Sequence, residues 1–563
     1  MSKLNVLSAN TTATGLKDLN GLRVTFVNMP LRESAAPVVA PEGPAILAAI
    51  LRNQGASVSI LDLNAYRIKD DHAEGRPNGR YLSLREVEHY ISQHLNLHGD
   101  QDLVGFSGII TSLRWQERVA KIVRRLQPDT FLVSGNGLAT EIKRGLFNWI
   151  PELDAIARSE GDDIILKIAS DVQDIKQHGI DTVLSNGLVS EYYVGEHNDR
   201  HRFVYEGGRP TNLDTIPGAA WDLLESDPFG KNILETYIVS PIWGLIANNS
   251  SAAPFTMKRS LNTVSSRGCP YACAFCYRGA FGERNYGIRS AESIAVQMKL
   301  YKDTYGVDFI GYLDDNFAVN KKRMDALPAA FRQVGADVRW GTHARMDEAD
   351  QRLFPMSEAG CVYMGFGAES AHEKTLTRMH KGGFILRNGV KETIVDGRPY
   401  YFPHTMIDGI KNCHRAAVHA NCTWIMGYPG ETLDELKTSV AFILWQQEII
   451  TSGQVENNNG YTDVREAINR KMFTATAYPG TEMFNEPSVR KILINNFGLT
   501  FDRNDDPICD ENFHNYVLEL DDATKVLNDK DGNPINFGEM PLNDFLKARE
   551  FIDNNSVEKI LEM

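Results

Sequence analysis

Three cysteines stand close together near the middle of the chain. Cys269, Cys273 and Cys276 lie in the run Ser-Ser-Arg-Gly-Cys-Pro-Tyr-Ala-Cys-Ala-Phe-Cys-Tyr, which has the spacing Cys-x3-Cys-x2-Cys. Thiolates are the usual ligands of iron–sulfur clusters, and a cubane cluster normally takes four of them. Since this loop supplies only three, one iron is left open to a small molecule, as the metal is in catalytic sites. The spacing therefore predicts a [4Fe-4S] cluster that does its chemistry at one open iron.

A structural zinc site is the main alternative for these thiols. Such sites favour a Cys-x2-Cys pair combined with a distant second pair, and the sequence offers no second pair. The other cysteines lack ligand spacing, and we interpret them as core or incidental thiols: Cys361, Cys413, Cys422 and Cys509.

The cysteine run resembles the signature of the radical S-adenosylmethionine (SAM) enzymes, including the aromatic Phe275 just before the third cysteine. The resemblance implies that the amino and carboxylate groups of SAM chelate the open iron. It also implies that the reduced cluster cleaves SAM to methionine and a 5′-deoxyadenosyl radical.

Six predicted strands, each ending in polar residues, follow one another through the second half of the chain. In barrel-like sheets the functional side chains collect at the carboxyl ends of the strands. The order resembles the partial (β/α)6 barrel of radical SAM enzymes. The six strands are predicted at Leu261–Ser265, Phe309–Asp314, Arg339–Arg345, Val362–Phe366, Thr423–Met426 and Met472–Ala475.

The polar groups of SAM require complementary side chains at these strand ends. The ammonium is a pure donor and needs acceptors, and the resemblance assigns Asp314, Asp315 and Asn316 of the second strand to it. Arg345 on the third strand is a candidate for a two-pronged contact with the SAM carboxylate.

The ribose and the adenine have candidates on later strands. Glu369 and Ser370 match the family's ribose contact, and the Gly427–Glu431 element matches its adenine contact. Phe275 and Tyr277, on either side of the third cysteine, complete the predicted SAM site. Taken alone, a Glu-Ser or Gly-x-Pro-Gly sequence is more often a turn or a cap. The order of these elements after the cysteine loop makes the set specific.

The N-terminal third alternates strands and helices, which favours an open, Rossmann-like parallel sheet. Ligands of such sheets bind beyond the carboxyl ends of the strands. The arrangement resembles the cobalamin-binding domains that precede some radical SAM barrels. The resemblance predicts cobalamin contacts at Asn28, Ser107, Gly108, Gly135, Asn136 and Gly137. The alternative is a degenerate scaffold that binds nothing, since a fold is weak evidence for a ligand.

One short segment matches the motif that supplies a histidine ligand to cobalt in the cobalamin family, but it stands at the wrong place in the chain. Residues 70–75 read Asp-Asp-His-Ala-Glu-Gly and match the family's Asp-x-His-x-x-Gly pattern, but they follow the second strand rather than the first. We interpret His72 as part of a solvated loop. If cobalamin binds, its lower face is predicted to be open or filled from residues 28–42, with Arg32 and Glu33 as candidates.

The fold class is therefore predicted as α/β, with a Rossmann-like sheet, a partial barrel and a mixed or helical C-terminal extension. The boundaries are predicted as a tail at 1–20, the cobalamin-type domain at 21–190, a linker at 191–260, the barrel at 261–485 and the extension at 486–563. A long stretch at 383–405 departs from the compact barrel pattern and is either a lid or a surface insertion.

Charge and composition limit the partners. With 59 basic and 73 acidic residues the chain carries a net charge of −14, which argues against a general binder of nucleic acids or anionic membranes. No apolar run is long enough to span a membrane, and no signal peptide is recognised. Seven sparse cysteines suit a reducing cytoplasm.

The leading hypothesis is methyl transfer to an unactivated carbon of a small molecule, with a flavodoxin or ferredoxin as reductant. The resemblance implies this use of [4Fe-4S], SAM and cobalamin together. The alternative is a radical SAM cyclase, oxidase or rearranging enzyme in which cobalamin has another role or is absent. A third hypothesis is a non-catalytic cluster protein. The sequence identifies neither the substrate nor a residue that reacts with it.

Overall fold

The computed structural model describes residues 18–30, 39–68, 80–187, 191–239, 257–277, 285–451, 468, 470–520 and 526–563. Arg32, Glu33 and the His72 motif lie outside these residues. The chain forms two compact units, the first made of Met1–Tyr237 with Leu499–Lys525 and the second of Ile238–Gly498 with Val526–Met563. The finer boundaries drawn from the sequence stay predictions.

The first unit is built on a seven-stranded sheet in the order β2-β1-β3-β4-β5-β7-β6. All neighbours in it are parallel except the hairpin of the last two strands. The strand order reverses beside β1, which pairs with both β2 and β3, and that is where doubly wound sheets bind ligands. The strands are Arg23–Asn28 (β1), Ser57–Asp62 (β2), Leu103–Ser107 (β3), Phe131–Gly135 (β4), Ala155–Arg158 (β5), Tyr193–His197 (β6) and Arg200–Glu206 (β7).

The inner strands are buried on both faces because helices cover the sheet. In β1 the run Val24–Val27 is buried without alternation, as expected for a parallel strand between two helical layers. The helices are Glu42–Arg52 (α1), Leu84–His98 (α2), Leu113–Leu126 (α3), Asn136–Ile142 (α4), Leu146–Trp149 (α5), Ile164–His178 (α6), Ile180–Ser185 (α7) and Ile233–Ile238 (α8). The strands β6 and β7 fall inside the segment that the sequence assigns to the linker.

A late segment of the chain completes the first unit. His514, on a helix at Glu511–Glu519, pairs with Glu117 of α3 at 2.5 Å, and its ring lies against Trp149. Cys509 packs against Gly145, where a Cβ would lie 2.2 Å from the sulfur atom. Residues 499–525 are therefore a structural part of this unit, although they come after the barrel in sequence.

The second unit contains a six-stranded parallel sheet whose strands follow one another in chain order. The six strand predictions are confirmed, with the third found at the predicted bounds. The strands are Ser260–Thr263 (β8), Phe309–Tyr312 (β9), Arg339–Arg345 (β10), Cys361–Glu369 (β11), His419–Met426 (β14) and Met472–Thr474 (β15), and a hairpin at Val390–Val395 (β12) and Arg398–Pro403 (β13) intervenes. This curled parallel sheet is consistent with the half-barrel fold that the sequence predicts.

Helices alternate with these strands and continue into the C-terminal part. The first two begin at a side-chain cap and end at a left-handed glycine, at Ser290 and Gly306 and at Asn320 and Gly335. The helices are Ala291–Tyr305 (α9), Lys321–Val334 (α10), Leu353–Glu358 (α11), Glu373–Arg378 (α12), Gly382–Ile385 (α13), His404–Arg415 (α14), Leu433–Thr451 (α15), Glu482–Asn485 (α16), Pro487–Phe497 (α17), Glu511–Glu519 (α18, in the first unit) and Leu542–Asp553 (α19).

The stretch at 383–405 folds mainly as the hairpin of β12 and β13. Phe402 is fully buried, and its ring packs edge-on against Phe442 of α15 at a centroid distance of 5.1 Å and near Trp445. The neighbouring Tyr401 is 53% exposed. One face of the hairpin is thus packed against α15, and the other face is open to solvent.

Two remaining features are a turn in the C-terminal part and the apolarity of the helices. Residues 529–533 form a tight turn in which the Asp529 carboxylate accepts from Asp531 N and Asn533 N, at 2.9 and 2.8 Å. Among the helices described, none combines the length and the apolarity that crossing a bilayer requires.

Candidate active site

The cysteine loop follows β8 and is tied down on two sides by backbone hydrogen bonds. Ala274 N donates to Met379 O at 3.0 Å, and Ala274 O accepts from Met483 N at 2.9 Å. Gly268, directly before the first cysteine, has a φ of +80°, which is favourable only for glycine. The chain therefore fixes the path of the loop that carries the three thiols.

The three thiols are partly buried and lie within electrostatic range of one another. Burial raises the pKa of Cys269 to about 11, and the neighbouring Cys273 and Cys276 act in the same direction. A positive centre bound to such a thiol would bring it into the thiolate form. In the part of the chain that the structure describes, no three His, Cys, Asp or Glu side chains converge on one ion.

Asp314, at the end of β9, anchors the start of the loop. Its two carboxylate oxygens accept hydrogen bonds from Ser265 N and Ser265 Oγ, both at 2.7 Å, and from Ser266 Oγ at 2.5 Å. Burial raises the pKa of this carboxyl group, while Arg323 at 3.9 Å and the serine hydrogen bonds oppose the rise. The predicted acceptor for SAM is thus engaged with the protein.

Asp315 continues the same arrangement one residue later. Its Oδ2 accepts from Gly268 N at 3.0 Å, so both aspartates brace the peptide that leads into Cys269. Asn316, the third predicted acceptor, has a different environment: its Nδ2 donates to Glu348 Oε1 at 3.3 Å.

Glu348 is a site residue that sequence reasoning missed. It is 1% exposed, follows the end of β10, and its Oε1 also accepts from the hydroxyl of Tyr271 in the cysteine loop at 3.0 Å. Among the described residues, Glu348 Oε2 and Asn316 Oδ1 are buried acceptors without a hydrogen-bond partner. Burial raises the pKa of Glu348, and Arg352 opposes the rise. Two acceptors left open beside the cysteine loop fit a cationic ligand group.

Arg345 is held in place by four different groups. Its Nε donates to Asp347 Oδ1 at 3.0 Å, its Nη2 to Lys381 O at 3.2 Å and its Nη1 to the Cys273 sulfur at 3.6 Å. Its guanidinium carbon lies 4.1 Å from the ring centre of Tyr271. Burial disfavours its charge, but Asp347 and Cys273 outweigh burial and the pKa is raised. The predicted carboxylate clamp therefore contacts Cys273, one of the three predicted cluster ligands.

Lys381 forms a second buried cation beside the same cysteine. Its Nζ donates to Glu369 Oε1 at 3.0 Å and lies 5.8 Å from the ring centre of Phe275. Burial disfavours its charge, but the interactions with Glu369 and Cys273 outweigh burial and raise its pKa. Ser370, in contrast, is fully buried and hydrogen-bonds through its hydroxyl to Ser439 and His372 N. Of the predicted ribose pair, only Glu369 reaches the cysteine site.

The Gly427–Glu431 element closes on itself. Gly427 N donates to Glu431 Oε2 at 2.6 Å, and burial raises the pKa of Glu431 to about 8. Gly427 has a φ of +72°, and a Cβ at this position would lie 2.8 Å from the Phe545 ring and 3.2 Å from Asn536 Oδ1. The space beside this glycine is filled by the C-terminal part of the unit, so packing accounts for the glycine.

Ring contacts link the cysteine loop to the later strands. Phe275 and Tyr428 meet edge to face at a centroid distance of 6.3 Å, and Tyr277 meets Tyr478 in the same way at 6.2 Å. These contacts connect the predicted adenine element to the third cysteine. His343 lies on β10 beside Gly365, and burial lowers its pKa to about 4.

In the first unit, three of the predicted cobalamin residues stand in one row. Asn28 pairs in register with Ser107, and Ser107 pairs with Gly135, at the carboxyl ends of β1, β3 and β4. Asn136 follows with a φ of +70°, and its side chain accepts from Gly137 N at 2.7 Å. The structure therefore brings these residues together at the carboxyl edge of the sheet.

The environments along this row differ. The Asn28 amide donates to Asp62 Oδ1 at 2.8 Å, and burial raises the pKa of Asp62. A Cβ on Gly108 would lie 2.1 Å from Ser112 Oγ, so this glycine is needed for packing. A Cβ on Gly135 would meet nothing closer than 3.9 Å, which leaves room for a ligand at β4.

A comparison with protein families finds a match for the segment that contains the cysteine loop. The model of the radical SAM superfamily matches residues 263–443, which contain the cysteine loop and β9, β10, β11 and β14. This segment, which carries the three cysteines, thus matches the radical SAM superfamily.

Individual proteins resemble the chain over larger parts of its length. An uncharacterized methyltransferase of Pyrococcus horikoshii is 24% identical over 479 residues, which are 84% of each chain. The anaerobic magnesium-protoporphyrin IX monomethyl ester cyclase of Rubrivivax gelatinosus is 25% identical over 51% of this chain, which spans only 47% of that enzyme.

Among solved structures, the cobalamin-dependent SAM radical enzyme OxsB, with aqua-cobalamin and SAM bound, superimposes with a TM-score of 0.60 at 14% identity. The match covers 87% of this chain and 64% of OxsB. At this identity the likeness concerns the fold, and it extends well beyond the 263–443 radical SAM segment.

Proposed function

We propose that this chain is a cobalamin-dependent radical SAM methyltransferase that acts on a small molecule. The observation that supports the proposal most is the row of Asn28, Ser107 and Gly135 at the ligand edge of one sheet. The same chain carries the three-cysteine loop of a radical SAM unit. The relative from Pyrococcus horikoshii is named a methyltransferase, and the structural relative OxsB binds both cobalamin and SAM.

The cluster is assigned to Cys269, Cys273 and Cys276. With SAM bound, it would supply electrons that cleave SAM to methionine and a 5′-deoxyadenosyl radical. The open acceptors of Asn316 and Glu348 are suited to the SAM ammonium, because an ammonium only donates hydrogen bonds. Asp314 and Asp315, in contrast, accept hydrogen bonds from the start of the cysteine loop and hold it in place.

The remaining SAM candidates have secondary roles in this proposal. Glu369 reaches the site through Lys381 and is suited to a ribose hydroxyl. The Gly427–Glu431 element forms the wall near Phe275, where adenine would lie against backbone and ring. Tyr277 continues that wall. These assignments follow the order of the strand ends.

Cobalamin is assigned to the open space at Gly135 and to the exposed turn at Asn136. When bound, it would supply the methyl group to the substrate carbon. Because Gly135 has no side chain, a large planar ligand could approach the backbone there. The lower face is assigned no histidine.

The reductant is proposed to be a flavodoxin or ferredoxin of the cytoplasm. All seven cysteines are free thiols, including the fully buried Cys413 and the nearby buried Cys422. A chain with no disulfide suits a reducing compartment, where such carriers supply single electrons.

A radical SAM cyclase is the second candidate function, because the relative from Rubrivivax gelatinosus is named a cyclase. In that case the substrate radical would close a ring and receive no methyl group. The two functions differ in what happens to SAM, since methylation consumes a second SAM as a methyl donor.

The test is anaerobic purification followed by reconstitution with iron, sulfide and hydroxocobalamin. We expect an iron–sulfur absorption band, about one corrinoid per chain, and 5′-deoxyadenosine on addition of SAM and dithionite. S-adenosylhomocysteine formed alongside it supports methyl transfer, and its absence with bound corrinoid favours the second candidate. The Cys269, Cys273 and Cys276 to Ala triple variant should lose the cluster and keep the corrinoid. A reconstituted protein that takes up no corrinoid contradicts the methyltransferase.

A further inference from the structure

Two buried cations interact with one predicted cluster ligand. Arg345 and Lys381 are 6% and 5% exposed, and both interact with the Cys273 thiol. Arg345 makes a direct contact from Nη1 to the sulfur at 3.6 Å. Burial of two cations is costly unless their surroundings favour the charge.

We propose that Arg345 and Lys381 are positioning residues that set the reduction potential of the cluster through Cys273. The inference rests on the proposed function, since it requires that Cys273 binds the cluster. Reduction adds one negative charge to the cluster. Nearby cations and N–H donors to a cluster sulfur stabilise that charge and raise the potential.

The position of Arg345 argues against its use as a clamp for the SAM carboxylate. All three guanidinium nitrogens already have protein acceptors, in Asp347, Cys273 and the carbonyl of Lys381. The Tyr271 ring covers the group at 4.1 Å. A two-pronged contact with a ligand would require parts of this arrangement to be given up.

Each cation is paired with a carboxylate. Asp347 binds the Nε of Arg345, and Glu369 binds the Nζ of Lys381. The Arg345 pair is oriented with its positive end toward the sulfur, and Glu369 offsets part of the charge through which Lys381 interacts with Cys273. This orientation predicts opposite effects for the two partners of a pair: loss of the cation lowers the potential, and loss of the carboxylate raises it.

The test is the midpoint potential of the reconstituted cluster without SAM, followed by electron paramagnetic resonance. For Arg345→Gln and Lys381→Met we expect the ratio of reduced to oxidised cluster at a fixed potential to fall about tenfold, equal to a shift of about 59 mV for one electron. Asp347→Asn and Glu369→Gln keep an acceptor oxygen and should shift the potential upward. Arg332→Gln removes a cation that is 66% exposed and should leave the potential unchanged.

A merely structural role for Arg345 would not give opposite signs for Arg345→Gln and Asp347→Asn. The inference is overturned if these two variants carry full iron and shift the potential in the same direction or not at all. Arg345→Lys, which keeps the charge, covers the case in which Arg345→Gln fails to assemble the cluster, and it should stay near the wild-type potential. A wild-type protein that holds no cluster refutes the proposed function as well, whereas unchanged potentials of full clusters refute the inference alone.

Discussion

Asp314 accepts two hydrogen bonds from Ser265, one from its backbone N and one from its hydroxyl, each at 2.7 Å. The bonds join the end of β9 to the residue that opens the cysteine loop. The carboxylate thus defines where the loop begins. It also provides the negative partner of the buried Arg323.

The first prediction concerns this anchor. Asp314→Asn keeps the shape but removes the charge that the serine donors and Arg323 face. We expect the free energy of unfolding to fall by about 2 kcal/mol, because hydrogen bonds to a buried charged group contribute about 1.5–3 kcal/mol. Urea unfolding measures the change. Asp325→Asn, on the exposed side of α10, is the matched control and should change stability by less than about 0.5 kcal/mol. Equal unfolding midpoints for the two variants would contradict the anchoring role.

The second prediction separates ligand binding from folding in the first unit. Gly135→Ala adds a methyl group that meets no atom closer than 3.9 Å, so the thermal stability should stay near that of the wild type. Corrinoid affinity should fall at least about tenfold, because the methyl group takes the space assigned to the ligand. Gly108→Ala should instead lower the thermal stability, since its Cβ would lie 2.1 Å from Ser112 Oγ. Titration with hydroxocobalamin and a melting curve distinguish them. Unchanged corrinoid binding by Gly135→Ala would argue against a site at β4.

The third prediction concerns pH. Burial raises the pKa of Glu431 to about 8, above the usual value of 4.5, so the folded protein binds a proton that the unfolded chain releases between these values. The stability that depends on this proton is fully present below about pH 4.5 and is lost as the pH rises toward 8, with a slope of up to about 1.4 kcal/mol per pH unit. Glu431→Gln should remove this slope. Urea unfolding at pH 5, 6, 7 and 8 checks it, and parallel curves for the two proteins would show that the prediction is wrong.

The fourth prediction concerns the hairpin of β12 and β13. Phe402→Ala should lower the free energy of unfolding of the second unit by about 3–5 kcal/mol, since a buried ring is removed from the contact with Phe442. Tyr401→Ala, one residue earlier on the open face, should cost less than about 1 kcal/mol. Chemical unfolding followed by fluorescence gives both values. A similar loss of unfolding free energy in the two variants would mean that packing of the Phe402 face against α15 does not stabilise the hairpin.

The strands could be predicted from the sequence because each has a local signal. Arg339–Arg345 has the same bounds in prediction and structure, and the polar residues after each strand mark its carboxyl end. The row of Asn28, Ser107 and Gly135 followed from the same reasoning, since neighbouring parallel strands end at one edge.

The partners of the site residues could not be predicted in this way. Asp314 and Ser265 are 49 positions apart, and nothing in either local sequence identifies the other as its partner. Glu348 gave no signal because it follows its strand within a short 3-10 turn, and only its contact with Tyr271 brings it to the site. At Gly427 the sequence suggested room for a ligand, but Phe545, from the far end of the chain, packs there.

The route of the chain has a consequence for synthesis. The first unit needs residues up to Lys525, although its sheet is complete by Glu206. A ribosome adding about 5–20 residues per second needs roughly 15 s to one minute to travel from Tyr237 to Lys525. During that interval the surface around Trp149 stays uncovered, because α18 has not yet been synthesised. A premature stop within the barrel would therefore leave both units unfinished.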